Sequence, residues 1–240
     1  MKKEYANHKP CEIPWLSGVP THWEIRRLRH LAKINNSNVN KKSYEDEREV
    51  RLCNYTDVYY NEYISDDMDL MASTASDSEI EKHTLKKDDV VITKDSEGRD
   101  DIGVPSCVAE PLNNIVCGYH LTVLGAFPSE LYGRFLLRAL QANGIREQFH
   151  VAANGITRYG LSLHHIKDAL IPVPPIEEQH TIAAYLDRKT NEIDALIDKY
   201  TGGVKVNVDE QDSGRKGLIA LLLELRSSII SEAVTGKIDV

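Results

Sequence analysis

The chain has 240 residues, 41% of them hydrophobic and 28% charged, an ordinary balance for a soluble globular protein long enough to bury a real core. Its 37 acidic against 29 basic residues give a net charge of −8, which excludes a uniformly basic nucleic-acid binder but leaves room for a local basic face. No apolar run approaches the roughly 20 residues of a bilayer span, and Met1 to His22 is charged and proline-bearing, unlike a signal peptide, so a cytoplasmic protein is expected.

Cys11, Cys53, Cys107 and Cys117 form no CxxC pair, and no histidine cluster has metal-ligand spacing, so reduced thiols and no metal are expected. In chain order, Trp23 to Leu28 alternates like an opening strand, with Ile25 and Leu28 inward, and Trp15 and Trp23 read as core. Asn35 to Asn40 is a polar loop, and Lys41 to Glu49 is a charged stretch. Val50 to Tyr55 predicts a strand, and Asp57 to Tyr63 is crowded with tyrosines. Ser76 caps a short helix over Glu79 to Leu85. Val90 to Thr93 is a buried strand that delivers Lys94 to Arg99 into a polar turn. Ile102 to Val108 and Ile115 to Leu124 predict two more strands, the second carrying Tyr119 and His120. Ser129 caps a helix from about Glu130 to Ala142, with Leu131, Phe135, Leu136 and Leu140 inward. A second helical piece, Ile145 to Val151, ends in the loop Asn154 to Gly160. Leu161 to Asp168 is a short turn, and Ala169 to Val173 is a last strand.

Prolines 172, 174 and 175 then force an extended strap and open a helix, with Glu177 and Glu178 at the positive end of its dipole. Ile182, Ala183, Leu186, Ile193, Leu196 and Ile197 make an apolar stripe along it. Thr201 to Gly217 interrupts the pattern as a linker or a short hairpin using Val204, Val206 and Val208. Leu218 to Ala233 resumes an apolar helix, whose Leu218, Leu222, Leu225 and Ile229 need another helix from this chain or a second copy. The fold class is therefore α+β: a globular mixed head over 1–170, then a long coiled-coil-forming helical stalk over 171–240 with its break at 201–217. No internal repeat is present.

Catalytic motifs are missing: there is no Gly-rich nucleotide cradle, GxSxG elbow or HExxH, and no methyltransferase cofactor loop. Asp95 to Asp101 is acidic enough to suggest calcium, yet Asp100 stands where an EF-hand needs glycine and Ser106 where it needs glutamate. The polar turns fit DNA better, since base edges and phosphates are bound by such side chains on rigid mounts. Lys94, Asp95, Ser96 and Arg99 form one candidate turn. Asn154, Thr157, Arg158 and Tyr159 form another, in which Gly155 and Gly160 allow close backbone approach. Tyr119 and His120 are further candidates, read also as residues of a packed strand.

The run from Pro172 through Leu196 resembles the spacer helix of specificity subunits from type I restriction–modification systems. Ile13 to Glu24 is similar to their opening segment, and Ile230 to Asp239 to the way their repeat units close. Thr93-Lys94-Asp95 and the Asn154 to Gly160 loop resemble segments of their heads. The resemblance implies a non-catalytic, half-length subunit with one target-recognition head that reads half of a bipartite sequence in double-stranded DNA. It implies a homodimer through Ile182, Leu186, Ile193, Leu196, Leu218, Leu222, Leu225 and Ile229, docked to methyltransferase subunits and joined by a restriction (translocase) subunit. S-adenosylmethionine, ATP and magnesium then belong to those partners, with no cofactor on this chain. The rival reading is a protein-interaction scaffold of a defence system.

Overall fold

The computed structural model describes residues 4–13, 15–201 and 213–240, and of 213–216 the backbone alone. A short ribbon of β1 (His8–Lys9) and β2 (Val19–Pro20) leads to β3 (Glu24–Arg27). Next, β4 (Ala32–Asn36) takes in the start of the stretch read as polar loop. Ala32 and Ile34 alternate inward there, and the Asn36 side chain accepts a hydrogen bond from Thr122 Oγ1 at 2.7 Å, so its polarity does not expel the strand. β5 (Arg48–Cys53) is followed by α1 (Tyr55–Tyr59), β6 (Tyr63–Ile64) and β7 (Met71–Ala75). α2 (Asp77–His83) starts from Ser76 as predicted, in a capping box with Glu79.

β8 (Asp89–Thr93), β9 (Asp95–Ser96) and β10 (Pro105–Val108) follow. The predicted strand from Ile115 to Leu124 is two strands, β11 (Ile115–Cys117) and β12 (Leu121–Ala126), which belong to different sheets. Tyr119 and His120 sit in the turn between them, not within a strand. The next helix, α3 (Gly133–Gln141), begins after Tyr132 and not at a Ser129 cap. Its first residue lies against the Asp88 backbone, where a Cβ would come within 2.1 Å of the carbonyl oxygen. α4 (Asn143–Ala152), β13 (Tyr159–Gly160), α5 (Leu163–Asp168) and β14 (Leu170–Val173) complete the head. α5 is a helix where a turn was predicted, because Ser162 caps it by accepting from the His165 N–H. The last elements are α6 (Ile176–Thr201) and α7 (Ser213–Val234). α7 begins five residues before the predicted Leu218, and the hairpin reading of Val204 to Val208 falls outside the described residues.

The main sheet has the order β4-β12-β8-β10-β6, antiparallel except for the β10–β6 pair. Its central strand β8 shows period two: Val90 and Ile92 face the helices, and Val91 faces a second cluster with Leu121, Val123 and Val108. A three-stranded sheet, β11-β5-β7, closes that second side under α2. On the helical side one apolar cluster runs from Leu28 and Phe135 through Ile182, Leu186 and Ile193 to Ile229, Ala233 and Val234. The cluster therefore crosses position 170, and the first turns of α6 lie on the head instead of leaving it.

The three bracketing segments meet at one joint. Trp23 is fully buried and its Nε1 donates to Glu178 Oε1 at 2.9 Å, while Tyr5 Oη donates to the same carboxylate. Gly236, at φ +70°, closes against Pro20, where a Cβ would come within 2.2 Å of the ring. Gln179 is fully buried, accepts from the Tyr132 N–H at 2.8 Å and donates to the carbonyls of Glu130 and Pro174. β14 pairs with β3, placing Pro172 opposite Ile25. Trp15, by contrast, is exposed and belongs to no core.

A charged network fastens the stalk to the head. Arg138 of α3 is fully buried and contacts Glu62 at 2.6 Å and Asp187 at 2.7 Å, and it donates to Thr190 Oγ1 and Tyr63 Oη. Arg226 of α7 pairs with the same Glu62 and, at 3.0 Å, with Asp194 of α6. Burial alone would raise the Glu62 carboxyl, but Arg138 and Arg226 outweigh it and hold it below the usual range.

Candidate nucleic-acid interface

The two polar turns singled out from sequence are joined in space. β9 pairs antiparallel with β13, setting Tyr159 opposite Ser96 and Gly160 opposite Asp95. The first turn is mounted on buried β8: Thr93 Oγ1 donates to the Asp101 carbonyl at 2.6 Å, and the Gly103 N–H donates to the Thr93 carbonyl at 2.8 Å. The second is closed at its neck, where Asn154 and Gly160 exchange backbone hydrogen bonds of 3.1 and 2.8 Å. Leu161 N–H donates to the Lys94 carbonyl and Lys94 N–H to that of His120, so the β11–β12 turn is tied to both.

Asp95 is the hub. His120 Nδ1 lies 2.5 Å from its carboxylate, Arg158 Nε 3.2 Å and Lys94 Nζ 3.7 Å. Burial lowers the His120 pKa, and Arg158 and Lys94 add to this against the pull of Asp95. The permanent positive charge at this edge comes from Arg158, Lys94 and Arg99. The Arg99 guanidinium stands over the Tyr159 ring, 5.1 Å from its centroid. Tyr119 is exposed, with its ring centroid 3.7 Å from that of His120.

Among the ten predicted residues, Lys94, Asp95, Arg99, Tyr119, His120, Arg158 and Tyr159 form one contact-linked patch. Asn154 and Thr157 are exposed on the adjoining loop, although Asn154 Nδ2 is engaged with the Ala152 carbonyl at 2.8 Å. Ser96 is buried beneath the ladder, its hydroxyl bound between Tyr55 and Asp101, so it supports the turn from below. Gly155 is required by its neck, since a Cβ would meet the Arg158 carbonyl at 1.8 Å, whereas a Cβ at Gly160 would meet nothing. Of the tyrosines whose sequence allows either a stacking surface or packing, Tyr55 and Tyr59 stack at 5.6 Å beneath the ladder, and Tyr59 Oη donates to Asp101 at 2.8 Å. That hydrogen bond, with some burial, pushes the Tyr59 pKa up to about 12. The crowding of tyrosines was visible in sequence, but their pairing to a turn some forty residues away was not.

The acidic turn does not gather ligands. Asp101 points inward to Tyr59, while Asp100 is outward near His150, and among the described residues no group of three or more His, Cys, Asp or Glu is placed to hold a metal. Among them, too, no helix is long and apolar enough to cross a membrane. The four cysteines are free, and all but Cys11 are buried.

The family model described as the type I restriction modification DNA specificity domain matches residues 20–200. The chain belongs to that family. Its members supply DNA specificity and not catalysis. No curated protein matches in sequence. In fold, the chain is similar to the HsdS subunit from Thermoanaerobacter tengcongensis, with a TM-score of 0.53 at 18% identity over 92% of this chain and 46% of that one. It is likewise similar to a structure from work on complex assembly and conformational transition of the type I R-M system, with a TM-score of 0.55 at 18% identity, covering 92% of this chain and 47% of that one. The specificity-domain chain thus spans about half the length of these solved structures.

The proposed pairing positions divide into two groups. Ile182, Leu186, Ile193 and Ile229 are buried within the chain, and Leu222 packs against its core. Leu196, Leu218 and Leu225 are exposed, together with Leu221, Leu223 and Tyr200. The first group holds α6, α7 and α3 together, and of the second Leu223 lines a cleft with Tyr59, Glu62 and Arg226, leaving the others as exposed apolar positions on the far part of the helical pair.

Proposed function

We propose that this chain reads one half of a bipartite sequence in double-stranded DNA and fixes that reading relative to a second head. The observation that carries this is the joining of two sequence-distant turns by one strand ladder that presents Lys94, Arg99, Thr157 and Arg158, with Tyr119 on the neighbouring turn tied to it, in a chain of the DNA-specificity family. Arg158 and Thr157 face base edges, while Lys94, Arg99 and Tyr119 hold phosphates. Asp95 fixes the Arg158 guanidinium before DNA arrives, which lowers the ordering cost of binding.

The exposed leucines of α6 and α7 bury against a second copy, giving two heads about a two-fold axis. The same helical pair docks methyltransferase subunits, and a restriction (translocase) subunit joins that assembly. S-adenosylmethionine, ATP and magnesium are bound by those partners. Selection from a randomised duplex pool at rising salt tests the reading. Recovery of a half-site motif, with affinity falling as salt rises, is expected. Retention of protein partners alone, at any salt and with no duplex preference, replaces it with a protein-interaction scaffold.

A further inference from the structure

Ile156 is the most exposed large apolar side chain among the described residues, at 96% of full accessibility. Single exposed aliphatics are common on protein surfaces and ordinarily mean nothing. This one differs in how it is held. The Asn154–Gly160 bonds pin the neck of its loop, β13 is clamped on β9, and Gly155 takes φ +156° in a space no other residue fits. The loop is too tightly tied to lay Ile156 back on the head, and a β-branched side chain is stiff at χ1. Its neighbours on the tip, Thr157 and Arg158, are exposed and polar.

In the major groove the C5 methyl of thymine is the apolar group among an otherwise polar code of donors and acceptors. We infer that Ile156 packs on a pyrimidine C5 methyl, making it a specificity-determining residue beside Arg158. This rests on the DNA-reading function proposed above. Wedging between base pairs is the less favourable geometry, because unstacking costs energy and would draw Thr157 and Arg158 out of water. The half-site therefore contains thymine where the loop tip touches it, and 5-methylcytosine substitutes there better than cytosine does.

The experiment uses the full chain and the half-site recovered by selection, with each thymine replaced in turn by deoxyuridine, which lacks only the methyl group. At one position wild type should lose about fourfold in affinity, the worth of one buried methyl group, and Ile156→Ala should show no such loss. An unchanged unfolding midpoint for Ile156→Ala shows that the head is intact, as expected for so exposed a residue. A half-site without thymine, or one whose every uracil duplex binds wild type as well as thymine, overturns the inference while the DNA-reading function stands. So does an Ile156→Ala variant that keeps the full uracil penalty. Failure to recover any half-site overturns the function itself, and the inference with it.

Discussion

The joint and the ladder use charge in opposite ways. At the joint, Arg138, Arg226, Glu62, Asp187 and Asp194 are spent on one another, and Glu178 and Gln179 are spent on Trp23 and backbone groups. At the ladder, Asp95 restrains three basic side chains on one edge, and the guanidinium of Arg158 remains half exposed. A satisfied buried network fixes geometry, and a restrained exposed one is ready for a partner. The difference teaches that the rigid part of the molecule is where the chain's ends and stalk meet, and that the part free to meet DNA is mounted on it.

The contrast breaks hardest at Arg138. Replacing it with Met leaves the part-buried Glu62 and Asp187 with reduced compensation and removes the one fully buried charge of the network, and denaturant unfolding should show a loss of about 3 kcal/mol. Glu62 has a folded pKa below its unfolded one, so its stabilising contribution is present above the unfolded pKa and is lost as pH falls through the folded value. The variant's acid-unfolding profile should be correspondingly flatter below about pH 4.5. Gln179→Ala should cost about 2–3 kcal/mol by the same measurement, because the Tyr132 N–H and two carbonyls lose their partner inside the core.

On the ladder side, Arg158→Ala should leave the unfolding midpoint nearly unchanged and weaken DNA binding or relax one base position by about 1–3 kcal/mol, read by duplex titration. Charges at Leu221 and Leu225 should split the paired form in sedimentation without unfolding the head. The same change at Leu222 or Ile229 would strike the chain's own core. The smallest effect is expected at Asp89, whose carboxyl is pushed up to about 6 by burial. A raised acid pKa means stability that is full below the unfolded value and lost as pH rises through the folded one. Asp89→Asn should therefore gain about 1 kcal/mol at pH 8 and nothing at pH 4, in paired thermal melts.

Much of this frame was legible in the sequence. Proline spacing gave the strap, Ser76 with Glu79 gave α2, and the inward set of α3 was correct at Phe135, Leu136 and Leu140, with Leu131 buried just before the helix begins. What escaped was non-local. Ile115 to Leu124 reads as one apolar run, and only the sheet assignment breaks it at Gly118, which approaches the Cys53 carbonyl too closely for a side chain. β4 was hidden by asparagines whose partner lies on β12. Leu196 and Ile193 look alike in a helical stripe, yet one faces solvent and the other the head, because the stripe is wider than the surface it covers. At the ladder both turns were visible as polar loops, but their pairing through β9 and β13 has no local signature.

The most direct test of the account is the base preference recovered from randomised duplexes by the full chain and by its Lys94→Ala, Arg158→Ala double variant. The account predicts a defined half-site for wild type and, for the double variant, weaker binding to every duplex with one base position relaxed, at an unchanged unfolding midpoint. A double variant that recovers the wild-type half-site at full strength would contradict it.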